Sequence, residues 1–213
     1  PDMLKLYPTL LVKGSPLSRN PGDFVPYDTE TAANVVADLK EIVPPYVRIQ
    51  RIQRDIPKPQ IIAGVMNSNL RQYARKEMKR RGKKCKCINC RELWRAQIDP
   101  ATAELKEIEY KSSGGTEYFI SYESGSKLLA YLRLRLDDNA TVRELKVTGQ
   151  AADIGKTGSG VQHMGLGSKL MKIAEEKSKD YDKIRVTHGA GTRIYYEKLG
   201  YKLEDYYMAK DLN

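Results

Sequence analysis

Gln162-His163-Met164-Gly165-Leu166-Gly167-Ser168 is the stretch on which the reading of this chain turns. It lies between a run with strand character and a run with helix character. Glycines at 165 and 167 let backbone approach a ligand closely. The first turn of a helix also carries amide donors with no partner inside the helix, at the positive end of its dipole. Together these make a cradle for a pyrophosphate. A lone G-x-G is weak evidence, because turns use glycine anyway, so the surroundings have to carry the reading.

Upstream, residues 104–111, 116–123, 128–136 and 141–148 alternate with period two and read as four strands. Gly114-Gly115, Ser124-Gly125-Ser126 and Asp137-Asp138-Asn139 supply the hairpin turns between them. Downstream, Leu166, Leu170, Ile173 and Ala174 mark one face of a helix. A strand at 183–187, a short helix at 192–199 closed by Gly200, and a strand pair over 201–209 follow. Four antiparallel strands and then helix, strand, helix, strand is an α+β order. A dinucleotide-binding fingerprint is excluded: no strand–helix–strand alternation precedes the glycines, and no acidic ribose ligand follows at the right distance.

The first half reads differently. Residues 1–27 are rich in Pro and Gly, with short apolar pieces at 4–6 and 10–12. Asp28 and Thr29 cap a helix with an apolar stripe of Val35, Val36, Leu39 and Ile42, stopped by Pro44-Pro45. A strand follows at 46–52. Asn67 or Ser68 caps a second helix with Leu70, Tyr73, Ala74 and Met78 inside and Gly82 as its stop. Loop, helix and strand in this order suggest a piece of an α/β unit, with a boundary near 80–104.

The 213 residues carry 37 Lys and Arg against 27 Asp and Glu, a formal charge of +10. Residues 71–95 alone hold 11 basic and 2 acidic side chains, so nearly all the excess lies in that window. Such a concentration is the footprint of contact with a phosphate backbone. Arg71, Arg75 and Lys79 form a stripe on the second helix, continued by Arg80, Arg81, Lys83, Lys84 and Lys86. With 40% hydrophobic residues and no low-complexity segment, a fibrous or disordered chain is excluded. No apolar run is long enough to span a membrane, and no signal peptide is visible. A cytoplasmic protein with no membrane partner is expected. The absence of an initiator methionine reads as a fragment or a processed form.

The three cysteines, Cys85, Cys87 and Cys90, sit within six residues inside the basic window. They cannot pair completely, which argues against a secreted disulfide framework. Three closely spaced thiolates suit one Zn2+ ion, soft ligands for a tetrahedral structural metal. The fourth ligand is open. His163 and His188 are the two histidines available.

Residues 104–213 resemble the GNAT acetyltransferase fold, in which a Q/R-x-x-G-x-G/A loop matching 162–167 holds the pyrophosphate of acetyl-CoA on backbone amides. Residues 189–201 resemble one subgroup, the catalytic subunit of Elongator in its archaeal or bacterial form. So do Arg54-Asp55-Ile56-Pro57, Asn69-Leu70-Arg71, the cysteine cluster with Arg91-Glu92, Leu132-Arg133-Leu134-Arg135 and Arg143-Glu144-Leu145. The resemblance implies an acyltransferase that uses tRNA and acetyl-CoA to begin carboxymethyl-type modification of a wobble uridine. It divides the chain into the end of an α/β radical SAM barrel with its linker helix (1–80), a cysteine-rich metal-binding linker (81–103) and a GNAT domain (104–213).

The resemblance also implies roles. Glu144, Leu145, Lys146 and Val147 are the splayed strand whose backbone pairs with the pantetheine arm. Gln162, His163, Gly165, Leu166, Gly167 and Ser168 are the pyrophosphate loop. Of Tyr195 and Tyr196, the second is expected near the thioester sulfur, with a core role for the other. The family's S-adenosylmethionine and iron–sulfur cluster (4Fe-4S) belong to an N-terminal barrel whose own cysteines have no counterpart here, so no radical generation is expected of this chain. The family's usual Glu-Leu-His-Val-Tyr-Gly strand reads Glu144-Leu145-Lys146-Val147-Thr148-Gly149 here, so Lys146 stands where the family has a histidine. Protein lysine acetylation is the first alternative, and the basic window argues against it because basic substrates favour an acidic groove. A nucleic-acid-binding module with a decayed acetyltransferase fold is the second. A homodimer is left open.

Overall fold

A computed structural model describes residues 1–93, 98, 102–148 and 165–212. The chain packs into two compact units, Pro1–Cys90 and Arg91–Asn213.

Unit 1 is a small α/β assembly. β1 (Met3–Leu6) pairs in parallel with β3 (Arg48–Ile52), and β2 (Leu11–Val12) pairs antiparallel with β4 (Ile61–Ala63). A single turn, α1 (Pro16–Arg19), follows β2. α2 (Thr29–Ile42) is the crossover from β1 towards β3 that a parallel pair requires. Asp28 caps α2 as expected: its carboxylate accepts from the Thr31 amide at 2.7 Å, which also holds its pKa below the ordinary value. The face that α2 buries differs from expectation. Ala32, Ala33, Val36, Ala37 and Lys40 are inside, whereas Val35, Leu39 and Ile42 are exposed. Small alanines let α2 lie close to its neighbours, and Val35 and Leu39 line an apolar groove with Leu6, Tyr7, Phe24 and Val25.

α3 (Leu70–Arg80) has Asn69 at its N-cap, not Asn67 or Ser68, and Asn69 makes no side-chain cap bond. Its buried residues are Leu70, Ala74 and Met78; Tyr73, expected inside, is exposed. Gly82 ends the region with φ +67°, a left-handed conformation that glycine adopts without strain. The cysteine segment then folds back on the unit. The Ile88 amide donates to the Val47 carbonyl at 3.0 Å, and Cys87 joins the core cluster of Val36, Ile49, Leu70 and Ala74. A last turn, α4, covers Ile88–Arg91.

Unit 2 is built on a seven-stranded mixed sheet. β5 (Glu104–Ser112), β6 (Gly115–Ser124), β7 (Lys127–Leu136) and β8 (Ala140–Val147) form an antiparallel meander within a residue or so of the expected bounds. α5 (Leu166–Lys177) leads to β9 (Lys183–Thr187), which lies parallel to β8. A 3-10 turn at Ala190–Thr192, α6 (Arg193–Glu197), β10 (Lys202–Glu204) and β11 (Tyr207–Asp211) complete it, in the order β10-β11-β9-β8-β7-β6-β5. Leu166, Leu170, Met171 and Ala174 of α5 pack with Ile120, Leu132, Leu134, Val142, Ile184 and Val186 in one core. Each fully buried Leu or Ile contributes about 1.5–3 kcal/mol.

The charged motif of β7 and β8 has a structural task. Arg133 is almost fully buried, pairs with Glu144 at 2.9 Å and lies 5.3 Å from the Phe119 ring centroid. The buried Glu117 receives Arg135 at 3.1 Å and Arg143 at 2.6 Å. These pairs cross β6, β7 and β8 and fix their register through paired charges.

Candidate functional site

Three groups of expected residues gather in space, two in unit 1 and one in unit 2.

In unit 2, β8 and β9 stay together for only three residue pairs, Ala140 with Ile184, Thr141 with Arg185 and Val142 with Val186. A bulge at Arg143 bends β8 at that point, since Arg133 faces Glu144 while Leu134 faces Val142. From Glu144 to Val147, among the described residues, β8 pairs with β7 alone. The strand therefore parts from β9 and offers one line of backbone groups to the opening. Leu145 and Val147 face that opening. Glu144 instead bonds Arg133, and Lys146 pairs with Glu92 at 2.8 Å.

The opening is a cleft of about 210 Å³ lined by Leu145, Val147, Gly165, Gly167, Ser168, Thr192, Tyr195 and Tyr196. Gly165 caps α5 with φ +67°, and no side chain occupies the cap. The amides of Leu166, Gly167 and Ser168 thus begin the helix at the cleft. Leu166 itself is core. Gly167 allows a close approach: a Cβ there would lie 2.8 Å from the Tyr195 hydroxyl and 3.6 Å from Val147. Gln162 and His163 lie outside the described residues.

Tyr195 and Tyr196 meet edge to face, with centroids 5.1 Å apart, and Tyr196 continues to Tyr201 at 6.1 Å. The Tyr195 hydroxyl is buried with no well-formed hydrogen bond among the described residues, the Ser168 side chain being a weak polar neighbour. Burial pushes the Tyr195 phenol up. Burial, with Tyr195 adding to it, pushes Tyr196 up to about 12. Both are therefore neutral phenols near pH 7, able to donate a hydrogen bond and unable to serve as bases.

In unit 1, the sulfurs of Cys85, Cys87 and Cys90 lie within 4.8 Å of one another. No disulfide joins them. Hydrogen bonds from Cys85 and Cys87 hold the Cys90 thiol well below the ordinary range, with the Lys40 ammonium adding to this. Cys85 is pushed up by the same bonds to Cys87 and Cys90 and by burial. Three soft donors converging on one point fit a metal ion. Among the described residues no fourth side chain joins the group, and His188 sits half-buried with its Nδ1 beside the Gly189 carbonyl.

The basic stripe divides. Arg75, Lys79, Lys83, Lys84 and Lys86 are exposed. Arg81 is half-buried and bonds Glu77 at 2.6 Å, Asn34 at 3.2 Å and Asp38, so it ties α3 to α2. Arg80 grips Glu77 with two bonds of 2.8 and 2.7 Å. Those guanidinium contacts hold the Glu77 carboxyl down at about 2. Arg71 donates to the carbonyls of Ile49 and Gln50. A count of charges cannot separate arginines that brace the fold from those that face solvent.

Residues 1–80 match the model of the Radical_SAM C-terminal domain. The whole chain aligns at 42% identity with 44% of the tRNA uridine(34) acetyltransferase of Methanocaldococcus jannaschii, and at 40% with 51% of that of Dehalococcoides mccartyi. It aligns at 37% identity with 43% of Elongator complex protein 3 of Homo sapiens. It thus spans about half or less of the length of these relatives. An N-terminally truncated Elp3 of Methanocaldococcus infernus superposes with TM-score 0.89 at 41% identity, over 99% of this chain and 55% of that one. No helix among the described residues is long and apolar enough to cross a membrane. With similarity along the whole of this chain in both sequence and fold, the chain is homologous to a part of the tRNA uridine(34) acetyltransferases and of Elongator complex protein 3.

Proposed function

We propose that this chain supplies the acetyl-CoA site and part of the tRNA surface of a wobble-uridine-modifying acyltransferase. The parting of β8 from β9 after Val142 carries the reading. An extended ligand can add itself to an open strand by backbone hydrogen bonds. The pantetheine arm of acetyl-CoA is such a ligand, and its pyrophosphate would rest on the amides of Leu166, Gly167 and Ser168 at the start of α5. Unit 2 is then a GNAT-type domain.

The two tyrosines divide the cleft. Tyr195, against Gly167, stands beside the phosphate cradle, where its buried hydroxyl can donate to an oxygen of the cofactor. Tyr196 is placed for the thioester end. As the C–S bond of acetyl-CoA breaks, its phenol can give a hydrogen bond or proton to the departing sulfur. In the hydrolytic reaction the acetyl carbon takes water's oxygen as the C–S bond breaks, and a proton from that water restores the phenol.

In unit 1, the exposed Arg75, Lys79, Lys83, Lys84 and Lys86 would meet the tRNA backbone by charge and shape. The cysteine triad would hold zinc and thereby fix Lys84 and Lys86. Residues 1–80 fit the closing part of a radical SAM barrel. By the resemblance, the 4Fe-4S cluster and S-adenosylmethionine chemistry are assigned to the family's N-terminal barrel, which carries its own cluster cysteines, and the triad here is assigned to zinc.

Calorimetry with acetyl-CoA, together with hydrolysis measured with and without bulk tRNA, tests the reading. Binding and tRNA-stimulated turnover are expected. Acetyl-CoA binding with no response to tRNA would point to protein lysine acetylation, and tRNA binding without acetyl-CoA binding to a decayed acetyltransferase fold.

A further inference from the structure

α2 buries one charged side chain. Lys40 has no exposed surface and lies on the face formed by Ala33, Val36 and Ala37. An ammonium stripped of water is costly unless an anion sits beside it. Among the described residues no carboxylate pairs with Lys40. Its Nζ donates to the Cys90 sulfur at 3.4 Å, across 50 positions of sequence. A lysine in that position is out of place as packing, because a methionine would fill similar volume at lower cost.

We propose that Lys40 is the outer partner of a metal–thiolate centre, balancing its charge and orienting Cys90. The inference rests on the reading of the triad as a zinc site. Three thiolates around Zn2+ leave one net negative charge, and one adjacent ammonium cancels it. A hydrogen bond to a metal-bound sulfur also lowers that sulfur's tendency to leave the metal or attack an electrophile. Partners of this kind commonly change metal affinity by about 10- to 100-fold when removed.

The test is Lys40→Met in the full 213-residue chain. Zinc affinity is read by competition with a chromophoric chelator, and thermal stability is read in chelator and in zinc. The expected signature has opposite signs. Zinc binding weakens by about 10- to 100-fold, while the melting temperature in chelator stays level or rises, because an apolar side chain replaces a buried charge. Iodoacetamide should also alkylate the zinc-loaded variant faster than the zinc-loaded parent. Val36→Ala on the same helix face is the packing control; it should lower both melting temperatures and leave zinc affinity alone. Should Lys40→Met fail to fold, Lys40→Gln reads the same quantities with the charge removed. Equal zinc affinity in parent and variant overturns the role of Lys40 and leaves the metal site standing. A parent chain that takes up no zinc overturns the site and the proposal together.

Discussion

Residues 1–90 carry 17 Lys and Arg against 8 Asp and Glu, whereas residues 91–213 carry 20 against 19. The near-balance in unit 2 is built into its contacts. Arg133 faces Glu144, Arg135 and Arg143 share Glu117, Lys183 holds Glu204, and Lys210 holds Glu175. Unit 1 spends two of its arginines on Glu77 and leaves a file of cations in solvent. One unit is therefore equipped to bind through charge, the other through backbone geometry. Their proposed ligands should respond to different perturbations.

The sharpest separation comes from Gly167→Asp. The added carboxylate would face the phosphates and its Cβ would collide with the Tyr195 hydroxyl. Acetyl-CoA affinity should fall by about 100-fold or more, given the several kcal/mol that like charges cost at close range. Circular dichroism and tRNA affinity should be unchanged. Normal acetyl-CoA binding by a folded variant would remove the cleft from consideration.

Next in size is the reverse experiment. Changing Arg75, Lys79, Lys84 and Lys86 to Glu should weaken tRNA binding at least about tenfold and leave acetyl-CoA binding as it was. In the parent, five to eight phosphate contacts would give a slope of log K against log salt of roughly −4 to −7, and the variant should lose about 3 to 4 of that slope. A salt-independent affinity in the parent would show the stripe to be an ordinary solvated face. Arg81 must stay out of such a set. Arg81→Glu would put a carboxylate among Glu77, Asp38 and Glu41, and it should lower the melting temperature of the chain before it says anything about RNA.

Tyr195→Phe should cost acetyl-CoA about 2- to 10-fold in affinity, the worth of one hydrogen bond. Tyr196→Phe should lower turnover more than binding. If the two effects exchange places, the roles of the tyrosines exchange too.

The smallest effect separates the units by pH. Glu77, held down at about 2 from 4.5, stabilises unit 1 above pH 4.5, and that contribution fades as pH falls towards 2. Tyr196, pushed from 10.0 up to about 12, contributes fully below pH 10 and loses its contribution as pH rises towards 12. Probes placed in each unit should show unit 1 loosening first in acid and unit 2 first in alkali. Coincident loss at both ends would mean that the two unfold as one cooperative body.

The meander was legible because its turns are marked by glycine and Asp-Asn pairs and its strands run eight to ten residues with period-two character, which is weakest in β7, where Leu128 to Leu134 are all buried. Gly165, Gly167 and Ser168 line one cleft with Leu145, Val147, Tyr195 and Tyr196, residues that only the family resemblance had singled out together. The buried face of α2 was not legible. Alanine carries a weak hydrophobic signal, and Lys40, although it falls on the same helical period as Ala33, Val36 and Ala37, is a charge that reads as exposed, so the larger Val35, Leu39 and Ile42 drew the stripe to the exposed side. The triad was visible from its spacing, but Lys40 reaches it through the fold, not through nearby sequence. The division among the arginines likewise depends on partners in α2, far along the chain.

The bulge at Arg143 makes occupancy of the cleft a property of the sheet itself. Beyond Val142, among the described residues, β8 and β9 each present an edge to the other. Edges exchange their amide hydrogens and invite foreign strands. A cofactor lying between them would act as a surrogate strand, slowing exchange along β8 and closing a route to aggregation. Amide exchange at Leu145 and Val147 would then report loading without any label or turnover. The empty protein would be the stickier of the two forms, so that cofactor supply in the cell would act as a chaperone for the fold it serves.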